Sequence, residues 1–294
     1  MSFPPPSADQ AYFHISALEG GFIEDMPLAI FIHSAKPHEK ASMPSIAFLL
    51  RNSRTEETLV FDLGIPKDVK NTPPAVQKAV AAAGAKCTVP QDVRQSLLKG
   101  GLDPAKVNHV VLSHVHFDHV GDPTLFTGAT FIAHTETRDL LQNGYPKNPD
   151  SQYPSDLYPV ERTIYIEADD PKWQPLGLFP KAYDYFGDGS AYIVDAPGHM
   201  PGHINLLART SANGGWAYLA GDSAHDWRLI TGEEKIGTLL GCAHECKEDA
   251  EEHIARLSDI EKDEKVRVLL AHGGPWYEAS KGVKGFWPET IESL

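Results

Sequence analysis

Short apolar runs of four or five residues recur along the chain and read as strands. Residues 46–50 (Ile-Ala-Phe-Leu-Leu) and 58–62 (Thr-Leu-Val-Phe-Asp) flank the polar stretch 51–57, which predicts a hairpin. A second hairpin is predicted where 204–208 and 216–220 bracket Thr210-Ser-Ala-Asn-Gly-Gly. Its asparagine and glycines tolerate the positive φ angles that tight turns demand. Further strands are expected at 107–112, 130–133, 162–166, 191–195 and 266–270. Helical signals are fewer. Residues 74–83 are alanine-rich after a Pro-Pro start, and Ala250, Ile254, Leu257 and Ile260 mark one apolar face after Lys247.

Two clusters of strands, each with a hairpin and accompanied by helices, predict an α/β (α+β) fold, specifically an αββα sandwich of two mixed sheets packed face to face with helices outside. No fixed-period repeat, low-complexity tract or Gly/Ser/Pro linker divides the chain, so residues 1–294 are expected to form a single domain. Residues 1–20 are expected to be a flexible or accessory N-terminal segment. The stretch 144–155, with three prolines and two tyrosines, is expected to be a long surface loop near the site.

Composition narrows the class. With 41% hydrophobic and 22% charged residues and a mean hydropathy of -0.30, the chain reads as a globular protein with ample core. A formal net charge of -14 repels phosphate backbones, which argues against a nucleic-acid partner. No apolar stretch approaches the roughly 20 residues of a membrane helix. The N-terminus lacks the basic-then-apolar pattern of a signal or transit peptide. Three cysteines, Cys87, Cys242 and Cys246, are too few and too unevenly placed for a disulfide framework and are expected to be free thiols. The expected compartment is the cytosol.

The informative chemistry lies where the apolar residues 110–112 run into Ser113-His-Val-His-Phe-Asp-His119. Four ligand-type side chains, His114, His116, Asp118 and His119, fall within six residues. In an extended conformation His114 and His116 project to the same side, while Asp118 and His119 turn toward a neighbouring point as the chain bends into a helix. One segment can thus serve two adjacent metals. More candidates follow later strands: His199 after 191–195, Asp222 after 216–221 and His272 after 266–271. Each sits at a strand-to-loop junction, where a rigid sheet presents a group to substrate. Five imidazoles and two carboxylates suit zinc and tolerate iron, manganese or cobalt. Cys242-Ala-His-Glu-Cys246 resembles a further metal motif but lacks a fourth ligand nearby, and a structural role is expected for it. His134, His225 and His244 are not assigned by pattern alone.

The motif at 114–119, together with Ala196-Pro-Gly-His199-Met-Pro-Gly-His203, Gly221-Asp222 and Ala271-His272, resembles the metallo-β-lactamase superfamily over residues 45–275. The resemblance implies that His114, His116 and His199 hold a first zinc ion and Asp118, His119 and His272 a second, with Asp222 bridging the two. It also implies that Asp62 supports a ligand imidazole from behind and that His203 is a hydrogen-bonding residue rather than a ligand. Related lactone hydrolases commonly carry a tyrosine three residues after the bridging aspartate; here His225 stands there. The stretch 219–228 and the segment 241–246 look like the fungal members near the acyl-homoserine lactonases, including enzymes that open benzoxazolinones and related γ-lactams.

Two such cations against two carboxylates leave a site of about +2, which attracts acyl oxygens. Zinc lowers the pKa of bound water toward about 7, so a hydroxide bridging the metals can attack the carbonyl of a small lactam or lactone without a covalent intermediate. Asp118 is the expected proton relay. Phe117, Tyr145, Tyr153, His225 and Trp276 are candidate substrate contacts. The expected partner is a small-molecule lactam or lactone, consistent with xenobiotic detoxification, and a homodimer is left open. A thioesterase and a mononuclear-iron sulfur dioxygenase of the same fold are the alternatives. Val115 stands where the electron-transferring di-iron branch carries glutamate, and the acidic balance disfavours nucleic-acid phosphodiesterases. A non-catalytic metal module would close the site with protein ligands, leaving no open position.

Overall fold

The computed structural model describes residues 3–281 and 284–294. The first sheet collects strands from the N-terminal part of the chain: β1 (Phe13–Pro27), β2 (Lys40–Asn52), β3 (Thr58–Phe61), β4 (Lys86–Thr88), β5 (His109–Val111), β6 (Thr130–His134) and β7 (Thr163–Ile166). Their order is β4-β1-β2-β3-β5-β6-β7. Strands β1 to β4 pair antiparallel, and β3, β5, β6 and β7 pair parallel. The second sheet follows in the chain: β8 (Trp173–Leu176), β9 (Phe179–Asp184), β10 (Ala191–Asp195), β11 (Ile204–Arg209), β12 (Trp216–Leu219) and β13 (Val266–Leu269). Its order is β13-β12-β11-β10-β9-β8, antiparallel except for β12 with β13. Both predicted hairpins form, β2 with β3 and β11 with β12.

Strand periodicity sorts the apolar side chains into layers. Phe48, Leu50 and Phe61 of the first sheet meet Ile193, Leu206, Leu219 and Leu269 of the second in the central core. Leu49, Val60, Val110 and Phe131 face the other way, onto α2 (Val93–Lys99) and α4 (Thr135–Gln142). Leu207, Tyr218 and Val268 likewise face outward, onto α5 (Trp227–Thr231) and α6 (Lys247–Ile260). The result is the expected αββα sandwich, and each large apolar side chain buried in it contributes roughly 1.5–3 kcal/mol. In α6 the buried Ala250, Ile254, Leu257 and Ile260 recur at helical spacing, and Glu248 and Asp249 complement the N-terminal dipole. Short helices α1 (Pro74–Ala82), α3 (Phe117–Val120) and α7 (Gly274–Ser280) complete the set.

The expectation of a flexible or accessory segment over residues 1–20 is corrected for residues 13–20; residues 1–2 lie outside the described residues. Residues 13–20 begin β1, the longest strand, and Phe13, Ile15, Ala17 and Leu18 are buried. The pair Gly20-Gly21 and the acids Glu19, Glu24 and Asp25 break the apolar pattern, and for the glycines the reason is packing. The glycines lie at a register shift between Glu19 and Phe22. A Cβ on Gly20 would come within 2.3 Å of the Ser45 carbonyl oxygen and 2.9 Å of the Gly64 Cα. The strand therefore crosses the turn that carries Asp62 at a distance only glycine permits. Residues 144–155 form turns and bends as expected, closed by backbone bonds from Tyr145 N–H to the Tyr153 carbonyl and from Ser155 N–H to the Tyr145 carbonyl.

Candidate metal centre

The parallel strand β5 ends at Val111, and the next nine residues cross the end of the sheet and turn into α3. Asp62 fixes this crossing. It follows β3 in a left-handed conformation (φ 63°), which aspartate tolerates better than most residues. Its own N–H donates to the Val111 carbonyl (2.9 Å), and Leu63 N–H donates to the carbonyl of His119 (2.8 Å). The Asp62 carboxylate accepts from the Ser113 N–H (2.6 Å), the Ser113 hydroxyl (2.8 Å) and His119 Nδ1 (2.9 Å). The last bond holds a proton of His119 on Nδ1 and turns Nε2 inward.

The other imidazoles are set in similar ways. His114 Nδ1 lies 2.9 Å from the Ser113 hydroxyl, and His272 Nδ1 donates to the Pro44 carbonyl at 2.7 Å. Their Nε2 atoms are thereby left to face Asp222. His203 is different: Nδ1 donates to the Ala196 carbonyl (2.9 Å) and Nε2 accepts from the Asp222 N–H (3.1 Å). Both its nitrogens are hydrogen-bonded, Nδ1 fixing the ring and Nε2 bracing the aspartate's backbone, as a hydrogen-bonding residue rather than a ligand would. Asn205 adds a further brace on this turn, holding the Ala220 carbonyl with its amide and accepting from Ser223, Tyr218 and His253.

Seven side chains then converge in two groups that share Asp222. Ligand atoms of His114, His116, His199 and Asp222 all lie within 4.8 Å of one another, as do those of Asp118, His119, His272 and Asp222. Asp222 Oδ1 is 3.2 Å from both His119 Nε2 and His272 Nε2, whereas Oδ2 is 3.5 Å from His199 Nε2 and 3.7 Å from His114 Nε2. His116 Nδ1 stands 3.0 Å from both His114 Nε2 and His199 Nε2. His272 Nε2 is 3.4 Å from Asp118 Oδ2.

The donor set fits a pair of divalent cations. His119 Nε2 and Asp222 Oδ1, 3.2 Å apart, are buried with no well-aligned hydrogen-bond partner among the described residues, and both belong to the group of Asp118, His119, Asp222 and His272. Nitrogen and carboxylate oxygen in this proportion suit zinc. Electrostatics agree. Burial, reinforced by the neighbouring imidazoles, holds His114 well below the ordinary histidine value, and burial also holds His199 well below it. His119 and His272 move the other way. Burial opposes a charge on either ring, but Asp222 and Asp118 outweigh it, raising His119 well above its ordinary value and His272 to about 10. Asp222 is itself buried, which opposes its charge, yet His119, His272 and His225 hold it well below the carboxylate range. Protons on His119 and His272 thus stand where cations would supply the positive charge.

Among the proposed substrate contacts, Tyr153 stacks beside His116 with ring centroids 6.2 Å apart, and Phe117 is half-buried at the start of α3. His225 is buried with Nε2 3.1 Å from Asp222 Oδ2, and its ring stacks on Phe31 (4.8 Å) and His272 (5.7 Å). Trp276 packs on Phe286 and lines a cleft of about 250 Å³ along β13 with Trp227, Leu270 and Pro275, and no metal-centre side chain lies in its walls. Tyr145 meets Tyr153 and Ser155 through its backbone. His134 lies apart, accepting from the Glu136 N–H and packing near Trp173. Two contributors escaped the sequence reading. Phe31 carried no signal, lying in a short turn of apolar residues, while His244 was visible in the Cys242–Cys246 motif but without its partners. His244 packs on His199 (5.4 Å) and His225 (5.1 Å).

Fold and site define a class. The sequence model of the metallo-beta-lactamase superfamily matches residues 44–210, and the chain belongs to that superfamily. Among its relatives, Gamma-lactamase FDB1 of Fusarium pseudograminearum is 35% identical over 222 residues, covering 69% of this chain, and Gamma-lactamase MBL2 of Gibberella moniliformis is 37% identical over 169 residues, covering 57%. The matched region spans 54% of FDB1 and 70% of MBL2, so this chain corresponds to about half of the first relative's length. Among solved structures, a B. thuringiensis AiiA mutant with N-decanoyl-L-homoserine bound at its active site superposes with a TM-score of 0.72 at 19% identity, covering 95% of this chain and 99% of that one. That likeness establishes the fold.

Proposed function

We propose that this chain is a di-zinc hydrolase that opens a small cyclic amide or ester, a γ-lactam such as a benzoxazolinone or a lactone. The observation that carries the proposal is the buried Asp222 carboxylate, with one oxygen turned to each of two ligand groups. The names of the two fungal relatives favour the lactam.

A zinc pair held there supplies a hydroxide nucleophile at neutral pH and Lewis-acid polarisation of the acyl oxygen. The remaining work falls to the protein. His114, His116 and His199 orient the first position and Asp118, His119 and His272 the second, with Asp222 common to both. Burial disfavours charge on Asp118, but His119 and His272 keep it a carboxylate below its ordinary pKa. Its Oδ2 can therefore take a proton from the nucleophile and return it to the leaving nitrogen or oxygen. His225 Nε2, beside Asp222 Oδ2, is placed to donate to the substrate where related lactone hydrolases present a tyrosine. Tyr153 and Phe117 flank the ligand helix and form the wall against which a flat ring can lie.

Every ligand comes from one chain, so the proposed chemistry asks for no second copy. Among the described residues no helix is long and apolar enough to cross a membrane. We place the activity in the cytosol, on small heterocycles of the xenobiotic type. The test is plasma mass spectrometry of the purified protein combined with a turnover screen of γ-lactams, lactones and thioesters. About two zinc ions per chain with chelator-sensitive ring opening supports the proposal. A single iron without hydrolysis, or turnover confined to thioesters, contradicts it.

A further inference from the structure

We propose that His199, His225 and His244 form a third divalent-cation site, weaker than the pair and filled only at excess metal. The inference goes beyond the hydrolase reading but rests on it for the role of His199, which is shared with the first metal position.

Three observations converge. One ring nitrogen from each of the three histidines lies within 4.8 Å of the other two, and all three side chains are buried. The Nδ1 atoms of all three are buried and have no hydrogen-bond partner among the described residues. Leaving a buried polar atom unpaired costs about 1–3 kcal/mol, so one on each of three imidazoles whose ring centroids lie 5.0, 5.4 and 5.1 Å apart is expensive unless something binds there. Finally, the backbone clamps the segment that carries His244 onto the loop that carries His199. Glu245 N–H donates to the His199 carbonyl (3.0 Å) and Cys246 N–H to the Gly198 carbonyl (2.9 Å). Those bonds give the Cys242–Cys246 segment a role: it delivers an imidazole to the edge of the metal centre.

Three imidazoles with an open fourth position form a recognised zinc ligand set. Zinc–nitrogen bonds of about 2.0–2.1 Å bring tetrahedral nitrogens to about 3.3 Å of one another, inside the 4.8 Å within which these ligand atoms lie. The site brings no carboxylate of its own. The nearest negative charge, Asp222 Oδ2 at 3.1 Å from His225 Nε2, already faces the first position. A third cation therefore binds against the charge of the pair, on the order of tenfold or more weaker than either of them. Filling it engages His225 and makes His199 bridge through both ring nitrogens, its N–H proton passing to solvent, so excess zinc should inhibit.

The experiment is equilibrium dialysis against zinc with metal counting, on the full chain and on His244→Gln. Both proteins should hold two ions tightly, and the unaltered chain should take up a third at higher free zinc that His244→Gln does not. Inhibition by excess zinc should vanish in the same variant. Saturation of the unaltered chain at two, or a third ion that persists in His244→Gln, overturns the proposal. Fewer than two tightly held ions in the unaltered chain would instead sink the hydrolase reading, so the two failures are distinct. Cobalt titration of the unaltered chain gives a reading that needs no variant: the third equivalent should add the visible absorption of four-coordinate cobalt, and its absence contradicts the site.

Discussion

On the Oδ1 side of Asp222, each imidazole is fixed from behind: His119 by the Asp62 carboxylate and His272 by the Pro44 carbonyl. On the Oδ2 side, His114 leans on a serine hydroxyl while His199 Nδ1 has no partner among the described residues. The two halves also differ in charge. Carboxylates surround His119 and His272 and raise their pKa values, whereas the imidazoles of the other half crowd one another and are neutral. The comparison teaches that one shared aspartate can join a rigid, proton-bearing half to a more adaptable, neutral one. The rigid half is built to hold its cation in one geometry, and the adaptable half is the one that can tolerate substrate, or an additional cation, beside it.

The most severe break is Asp222→Ala, which removes the oxygen each half depends on. It should strip both ions and lower kcat/KM by at least about a thousandfold, measured by metal analysis and turnover on one preparation. Asp62→Ala should act unequally. Loss of the bond behind His119 should weaken the Oδ1-side ion by about 10–100-fold, with a smaller change on the other side, as read by competition with a chelator.

Protons sharpen the same contrast. In the metal-free protein His119 and His272 are protonated at neutral pH and His114 and His199 are not, so filling the Oδ1 side should release protons and filling the Oδ2 side should not. Because the raised pKa of His272 lies at about 10, metal affinity on the Oδ1 side should climb as pH rises from neutrality toward that value. The ion-pair stability that protonated His272 gives the metal-free fold runs in the opposite sense: full below about 6.5, it is lost as pH rises through about 10. Calorimetry in buffers of different ionisation enthalpy measures the proton count directly, and equal release from both halves would contradict the assignment.

The smallest effect is expected at the wall. Tyr153→Ala should raise KM several-fold with little change in kcat or metal content, since its ring stacks beside His116 with centroids 6.2 Å apart and belongs to neither ligand group. A comparable fall in metal content would move Tyr153 into the ligand support.

What was legible in the sequence follows the range of the forces involved. His114, His116, Asp118 and His119 sit in one local segment at a strand end, so spacing alone exposed them. His199, Asp222 and His272 each follow a strand whose apolar pattern is strong. Asp62 and His203 were visible only through the family resemblance, because their partners lie 51–57 residues away for Asp62 and, at Asp222, 19 residues away for His203. Strand β1 was hidden by Gly20-Gly21, whose reason is the close crossing at Gly64. The short strands β8 and β9 carry prolines and polar residues that mask their pairing. His244 could not be placed, since its approach to His199 depends on long-range backbone bonds that no local pattern records.

The most direct test of the central claim is anomalous diffraction at the zinc edge from crystals of the zinc-loaded protein. The account predicts two peaks about 3.5–4 Å apart, one on each side of Asp222, with His119 and His272 at one and His116 and His199 at the other. A single peak bound by only part of the set, or none beside Asp222, would contradict it.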